Sequence, residues 1–155
     1  MKAAKRSAGG GRQAQAAREA ALQMVYALEI GGQDAAQIEK WFVEAHPLAP
    51  PVRERAGALL ESVVRHQTKI VDLIRRHSKR WKLERISLVD RSLLKLGIAE
   101  FLAPAGASAR EVIMAGRDLC LKYSHPEAQE FGQNVLEAIL SELQKAEEKA
   151  AAHAQ

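Results

Sequence analysis

The chain has one cysteine, five prolines and few aromatics, 5 % of its 155 residues. A single cysteine excludes a disulfide framework within the chain. Cys120, between Leu119 and Leu121 in a helical pattern, reads as a small buried hydrophobe. No apolar run approaches the ~20 residues that span a bilayer as a helix. The opening MKAAKRSAGGGRQAQAAR has the charge of a secretory leader but no apolar h-region, so a cytoplasmic protein without a membrane partner is expected. No stretch alternates apolar and polar residues over five or more positions, and Asn-Gly and Asp-Gly are absent, which removes the usual hairpin signals. The glycines 9–11 are not followed by the Gly-Lys-Ser/Thr of a phosphate loop, and no Gly-x-Ser-x-Gly elbow or dinucleotide fingerprint occurs. Of the five histidines (His46, His66, His77, His125 and His153), His66 and His77 would share a face of an unbroken helix, but no Cys-rich or His-x-x-x-His pattern accompanies them. No enzyme, metal or cofactor is expected from these absences.

What is present is Ala, Leu, Glu, Arg and Lys, the composition of helices. The length suits one domain. Residues 1–13 are basic, Gly-rich and without apolar periodicity, which predicts a disordered tail. A helical domain is expected over 14–145, and a frayed or disordered tail over 146–155. The first helix should run from Gln13 to Ile30 on a stripe of Ala17, Ala21, Met24, Val25 and Leu28, and stop at Gly31–Gly32. Asp34 suits the N-cap of a second helix through Ile38, Trp41 and Phe42. Pro47, Pro50 and Pro51 mark a loop. A third helix starts near Val52, and its pattern breaks near His66–Thr68 before a fourth continues towards Trp81. Helices over Arg85–Leu102, Ala107–Tyr123 and from Pro126 onward complete seven, with Ser108 and Glu111 spaced as a capping box. Short connections favour antiparallel neighbours in one or two bundles.

The densest signal is Trp81–Leu102, WKLERISLVDRSLLKLGIAEFL. Ile86, Val89, Leu93 and Leu96 recur at helical steps, and Leu94, Ile98 and Leu102 widen the stripe. That breadth predicts a helix packed by neighbours on several sides. Gly97 costs about 1 kcal/mol against Ala in a helix interior, so a close approach by another helix is expected there. Pro104 should end the helix. Arg85, Asp90, Arg91 and Glu100 are the charged exceptions, which unaided read as solvated faces or local ion pairs.

Charge is uneven. Residues 1–100 carry 18 Lys/Arg against 11 Asp/Glu, and residues 101–155 carry 5 against 8. A basic front half suits an anionic partner on one face. Arg75, Arg76, Lys79, Arg80, Lys82 and Arg85, with His77, crowd around Trp81. Such a cluster could line a polyanion, and it would equally suit a solvated helix end. Trp81 fits a core anchor better than a stacking platform.

With these residues set out, the chain resembles the NusB transcription antitermination factors. Arg18–Tyr26, REAALQMVY, is similar to the family's opening A-R-x-x-A-L-Q-x-L-Y. Trp81–Leu102 is the closest block, and Ala107–Tyr123 with Phe131–Leu136 is a looser third. The resemblance implies an all-α fold of about seven helices in two packed three-helix-type subdomains. It implies an adaptor without catalysis that binds single-stranded boxA-like RNA from ribosomal RNA operons. Its protein partner would be NusE, which is ribosomal protein S ten, within a transcription elongation complex. By that resemblance Arg12, Arg18, Tyr26 and Phe131 would contact RNA, and Asp90, Glu127 and Phe131 the partner. Arg75, Arg76, Lys79 and Arg80 join the RNA set from the basic cluster. The chain departs from the family where Gln13-Ala14-Gln15-Ala16-Ala17 replaces a run of arginines, Met114-Ala115-Gly116 replaces N-E-A, and Gly132-Gln133-Asn134 replaces V-N-G. The alternative is a diverged interaction module of the same fold that has lost specific RNA binding. The sequence leaves monomer or homodimer open.

Overall fold

The computed structural model describes residues 2–79, 82–103 and 107–154, with side chains from Gly11 onward. Arg80, Trp81 and Pro104 lie outside the described residues. Seven α-helices and no strands are present among those described: α1 Lys2–Ile30, α2 Ala35–Ala45, α3 Pro50–Arg65, α4 Gln67–His77, α5 Leu88–Leu102, α6 Ala109–Tyr123 and α7 Pro126–His153. One 3-10 turn, Leu83–Arg85, precedes α5.

Local chemistry sets most boundaries. Gly31 and Gly32 take φ of 89° and 93°, the left-handed region that stops α1 at little steric cost. Asp34 accepts a hydrogen bond from the Gln37 N–H at 2.8 Å and opens α2. Pro50 and Pro51 occupy the first turn of α3, so that helix begins earlier than the loop reading of those prolines; a missing N–H costs nothing where no partner carbonyl exists. Ser87 caps α5 by accepting from the Asp90 N–H at 3.1 Å. The helix therefore starts at Leu88 rather than Arg85, and the 3-10 turn takes up the residues between. Ser108 and Glu111 form the expected capping box. Helix extends further than the sequence suggested at both ends, from Lys2 and on to His153. Adding residues to a helix already nucleated on the core is far easier than starting one, and the far end of α7 is Ala-rich.

Two groups of three helices pack within themselves, α1–α2–α3 and α5–α6–α7. The groups meet where α5 lies against α1 and α3, while α4 reaches across to α7. The apolar residues form one continuous core, from Ala17, Met24 and Val25 of α1 through Leu60 and Val63 of α3 to Ile98 and Ile139. Every residue of α5 from Ser92 to Glu100 is buried, which accounts for the broad apolar stripe. At Gly97 a side chain of α7 comes close: a Cβ there would stand 3.1 Å from a Leu136 methyl.

Charges are buried in this core. Arg18 of α1 donates from Nε to both carboxylate oxygens of Glu100, at 3.1 and 2.9 Å, and from Nη2 at 2.6 Å. The Glu100 side chain is 2 % exposed, and Arg55 of α3 stands 3.9 Å from it. Further along, Lys95 pairs with Glu29, again nearly buried. Glu29 meets Lys95 and Arg18 meets Glu100, so α1 and α5 run antiparallel.

Candidate nucleic-acid interface

The N-terminus of α7 and the C-terminus of α4 enclose a groove of about 780 Å³. His125 caps α7 by accepting from the Ala128 N–H at 3.4 Å, and Pro126 takes the first position. The first turns then present Glu127, Glu130, Phe131 and Asn134 to the groove. The opposite wall is Arg76, His77, Ser78 and Lys79. Ser78, at the end of α4, donates its hydroxyl to the Ile74 carbonyl at 2.5 Å, and Arg75, Arg76 and Lys79 around it are exposed. Half-buried Phe131 also lines an adjoining recess of about 280 Å³ with Arg85, Ser87, Asp90, His125 and Glu127. Ser87 donates to Asp90 Oδ2 at 2.7 Å, while Asp90 Oδ1 is buried without a described partner. The structure thus brings together Arg76, Lys79, Glu127 and Phe131, and places Asp90 next to them.

The cluster's positive charge is partly neutralised. Arg76 meets Asp72 at 3.2 Å and Glu142 at 2.7 Å, His77 also meets Glu142 at 3.2 Å, and Arg75 meets Glu84 at 3.3 Å. These arginine pairs are half-exposed or more, so water competes for each and the cations can exchange their carboxylates for a phosphate. Lys79 is exposed on the groove wall.

The remaining site residues lie elsewhere. Arg18 is corrected most sharply: it is 6 % exposed and its guanidinium is committed to Glu100, so it offers no free contact to a phosphate. Arg12 is exposed but lies ~9 Å further along α1, past the level of Glu100. Because α1 and α5 are antiparallel, that is the end of α5 away from Asp90. Tyr26 lines a separate apolar groove of about 470 Å³ with Leu22, Ile30, Trp41, Phe42 and Tyr123. Val89 on the first turn of α5 borders that groove, and Ser87 and Asp90 border the recess beside Phe131. That turn of α5 thus borders both. Arg80 lies outside the described residues.

Beside the Tyr26 groove, Lys122 and Tyr123 both donate to the Glu19 carboxylate. The Lys122 hydrogen bond, then that of Tyr123, holds the Glu19 carboxyl below its ordinary 4.5. The Tyr123 phenol is raised above 10.0, first by burial and then by its bond to Glu19. Cys120 is buried as expected, and burial followed by the charge of Asp90 pushes its thiol above 9.0. It is a poor nucleophile.

Comparison with known proteins decides the family. The NusB family model matches residues 15–141. The chain belongs to the NusB family. Similar curated relatives include the transcription antitermination protein NusB of Koribacter versatilis, 33 % identical over 127 residues, covering 81 % of this chain and 87 % of the relative. The NusB of Aquifex aeolicus is 31 % identical over 124 residues, covering 79 % and 84 %. Among solved structures, the antitermination factors NusB and NusE in complex with dsRNA match at 28 % identity with a TM-score of 0.77, over 84 % of this chain and 97 % of that one. The solution structure of NusB from Aquifex aeolicus matches at 30 % identity and TM-score 0.73, over 84 % and 88 %. No described helix of this NusB family member is long and apolar enough to cross a membrane.

Of the groove residues, Glu130 is not singled out by the sequence, and Asn134 is singled out only as a departure from the family's V-N-G. Asn134 looks displaced from the family's Asn position, which Gln133 occupies. Gln133 instead donates to Glu137 at 3.2 Å and borders the small cavity under Phe131. Asn134 stands three residues after Phe131, and that spacing puts it on the same helix face. The signal was therefore present as a step from Phe131 rather than as a motif.

Proposed function

We propose that this NusB family member is an RNA-binding adaptor of transcription antitermination. It holds a boxA-like single strand together with a NusE-type ribosomal protein, in support of ribosomal RNA operon transcription, and does no chemistry of its own. The observation that carries this reading is the α4–α7 groove, in which the cations Arg76 and Lys79 face Phe131 across a space open to solvent. Phosphates need cations, and an unpaired base can stack on an aromatic ring. Single strands with splayed bases are the natural sequence-specific target of such a surface. Asp90 and Glu127, in the recess that shares Phe131, extend the surface towards the protein partner. Tyr26, across the first turn of α5, supplies a second stacking surface for the same strand. With two or three cations engaged, the slope of log affinity against log salt for a single strand should be about −2 or shallower.

The test is binding of labelled boxA RNA to the purified protein, with and without NusE from the same cell, at two salt concentrations. Sequence-selective binding strengthened by NusE is expected. Association with NusE without RNA selectivity would replace this reading with that of an interaction module that has lost RNA.

A further inference from the structure

The two walls of the α4–α7 groove carry opposite charge, and that difference sets which way a strand must lie in it. Arg76, His77 and Lys79 stand on the α4 wall, whereas Glu127, Glu130 and Asn134 stand on the α7 wall. A phosphate backbone is repelled by carboxylates and drawn to cations, so the backbone must follow α4 and the bases must point at α7. Phe131, next to Glu130 and three residues before Asn134, lies between as the stacking surface. We infer that Glu130 and Asn134 read the pairing edge of a base stacked on Phe131, and that this edge is that of guanine. The inference rests on the RNA-binding reading above and adds to it the identity of the base and of the residues that select it.

The donor and acceptor arithmetic singles out guanine. A carboxylate only accepts, and an Asn amide can donate. Glu130 and Asn134 are one helical turn apart on one face, so together they offer two acceptors beside a donor. The pairing edge of guanine presents two adjacent donors, the N1–H and the 2-amino group, followed by the O6 acceptor. Uracil presents one donor between two acceptors. Cytosine and adenine each present one amino donor beside ring or carbonyl acceptors. Only guanine satisfies both oxygens of Glu130 and the amide of Asn134 together. Both side chains are exposed, and neither makes a described hydrogen bond within the protein. They are thus available to a ligand without breaking the fold.

The experiment measures fluorescence anisotropy of the full chain with a short labelled oligouridine carrying one guanosine. The same strand with inosine, which lacks the 2-amino group, and the strand with uridine alone serve as comparisons. The guanosine strand should bind at least ~5-fold more tightly than either, the discrimination of one good bidentate contact. Glu130→Gln and Asn134→Ala should each erase most of that preference while leaving binding to oligouridine unchanged. Lys79→Gln should instead weaken all three strands alike. Binding of the strands without a guanosine preference, or a preference that survives both α7 substitutions, overturns the base assignment alone. If the two substitutions alter affinity for NusE and not for RNA, the α7 wall belongs to the protein partner and the inference falls. Failure of the unsubstituted chain to bind any strand, boxA RNA included, overturns the RNA-binding reading itself.

Discussion

The α1–α5 seam and the α4–α7 groove use the same residue types to opposite ends. In the seam, Arg18 is bound by three hydrogen bonds to a carboxylate that is 2 % exposed. In the groove, Arg76 holds Glu142 and Asp72 at a half-exposed site, and Lys79 faces solvent. The first guanidinium is spent on the fold, because freeing it would strand a buried charge. The second is only loosely held, because water already competes for it. An arginine within a binding motif therefore says little about binding until its burial is known.

The comparison breaks most visibly at Arg18. Arg18→Ala should destabilise the protein by about 3–5 kcal/mol, the usual cost of orphaning one partner of a buried pair. Urea unfolding of the two proteins would show it, and a loss below ~1 kcal/mol would mean that the seam is solvated. Next in size is Gly97, where Val would press on the Leu136 methyls. A loss of about 1–3 kcal/mol is expected in the same assay. On the groove side, Phe131→Ala should cost about 1–3 kcal/mol of RNA affinity by titration, the worth of one stacked base, and less of stability than Arg18→Ala. Smaller again is Lys79→Gln, which should leave unfolding within ~0.5 kcal/mol of the parent. It should flatten the salt dependence of RNA binding by ~0.7 in log–log slope.

The smallest effect concerns pH. The Glu19 carboxyl is held below its ordinary 4.5, chiefly by the Lys122 hydrogen bond. Its contribution is therefore present above 4.5 and is lost as pH falls through the lowered folded value. Glu19→Gln should remove less than ~1 kcal/mol near neutral pH and nothing in more acid solution, since the pair is near the surface. A stability difference that grew on acidification would contradict that sign.

Much of the fold was legible because it rests on local rules. The Asp34 and Ser108 caps, the Gly31–Gly32 stop and the close approach at Gly97 each follow from one residue and its immediate spacing. The prolines at 50 and 51 misled because a proline cluster marks either a loop or a first helical turn, and only the backbone separates the two. The role of Arg18 was written in the pattern but outweighed by its motif. It falls within the stripe of Ala14, Ala17, Ala21, Leu22 and Val25, just as Glu100 falls four residues after Leu96 on another buried stripe. Opposite charges that each interrupt an apolar stripe signal a buried pair, and that reading should precede any appeal to a ligand. The groove was less legible because its walls come from α4 and α7, and the pairing of Arg76 with Glu142 spans 66 residues. No local pattern reports such a contact.

The most direct test of where RNA is held is an NMR titration of the labelled full chain with boxA RNA, following backbone amides. The expected result is perturbation of Arg76–Lys79 and of Glu127–Asn134, with the amides around Arg12 and Arg18 little moved. Perturbation confined to the first half of α1, with the α4–α7 groove silent, would contradict it.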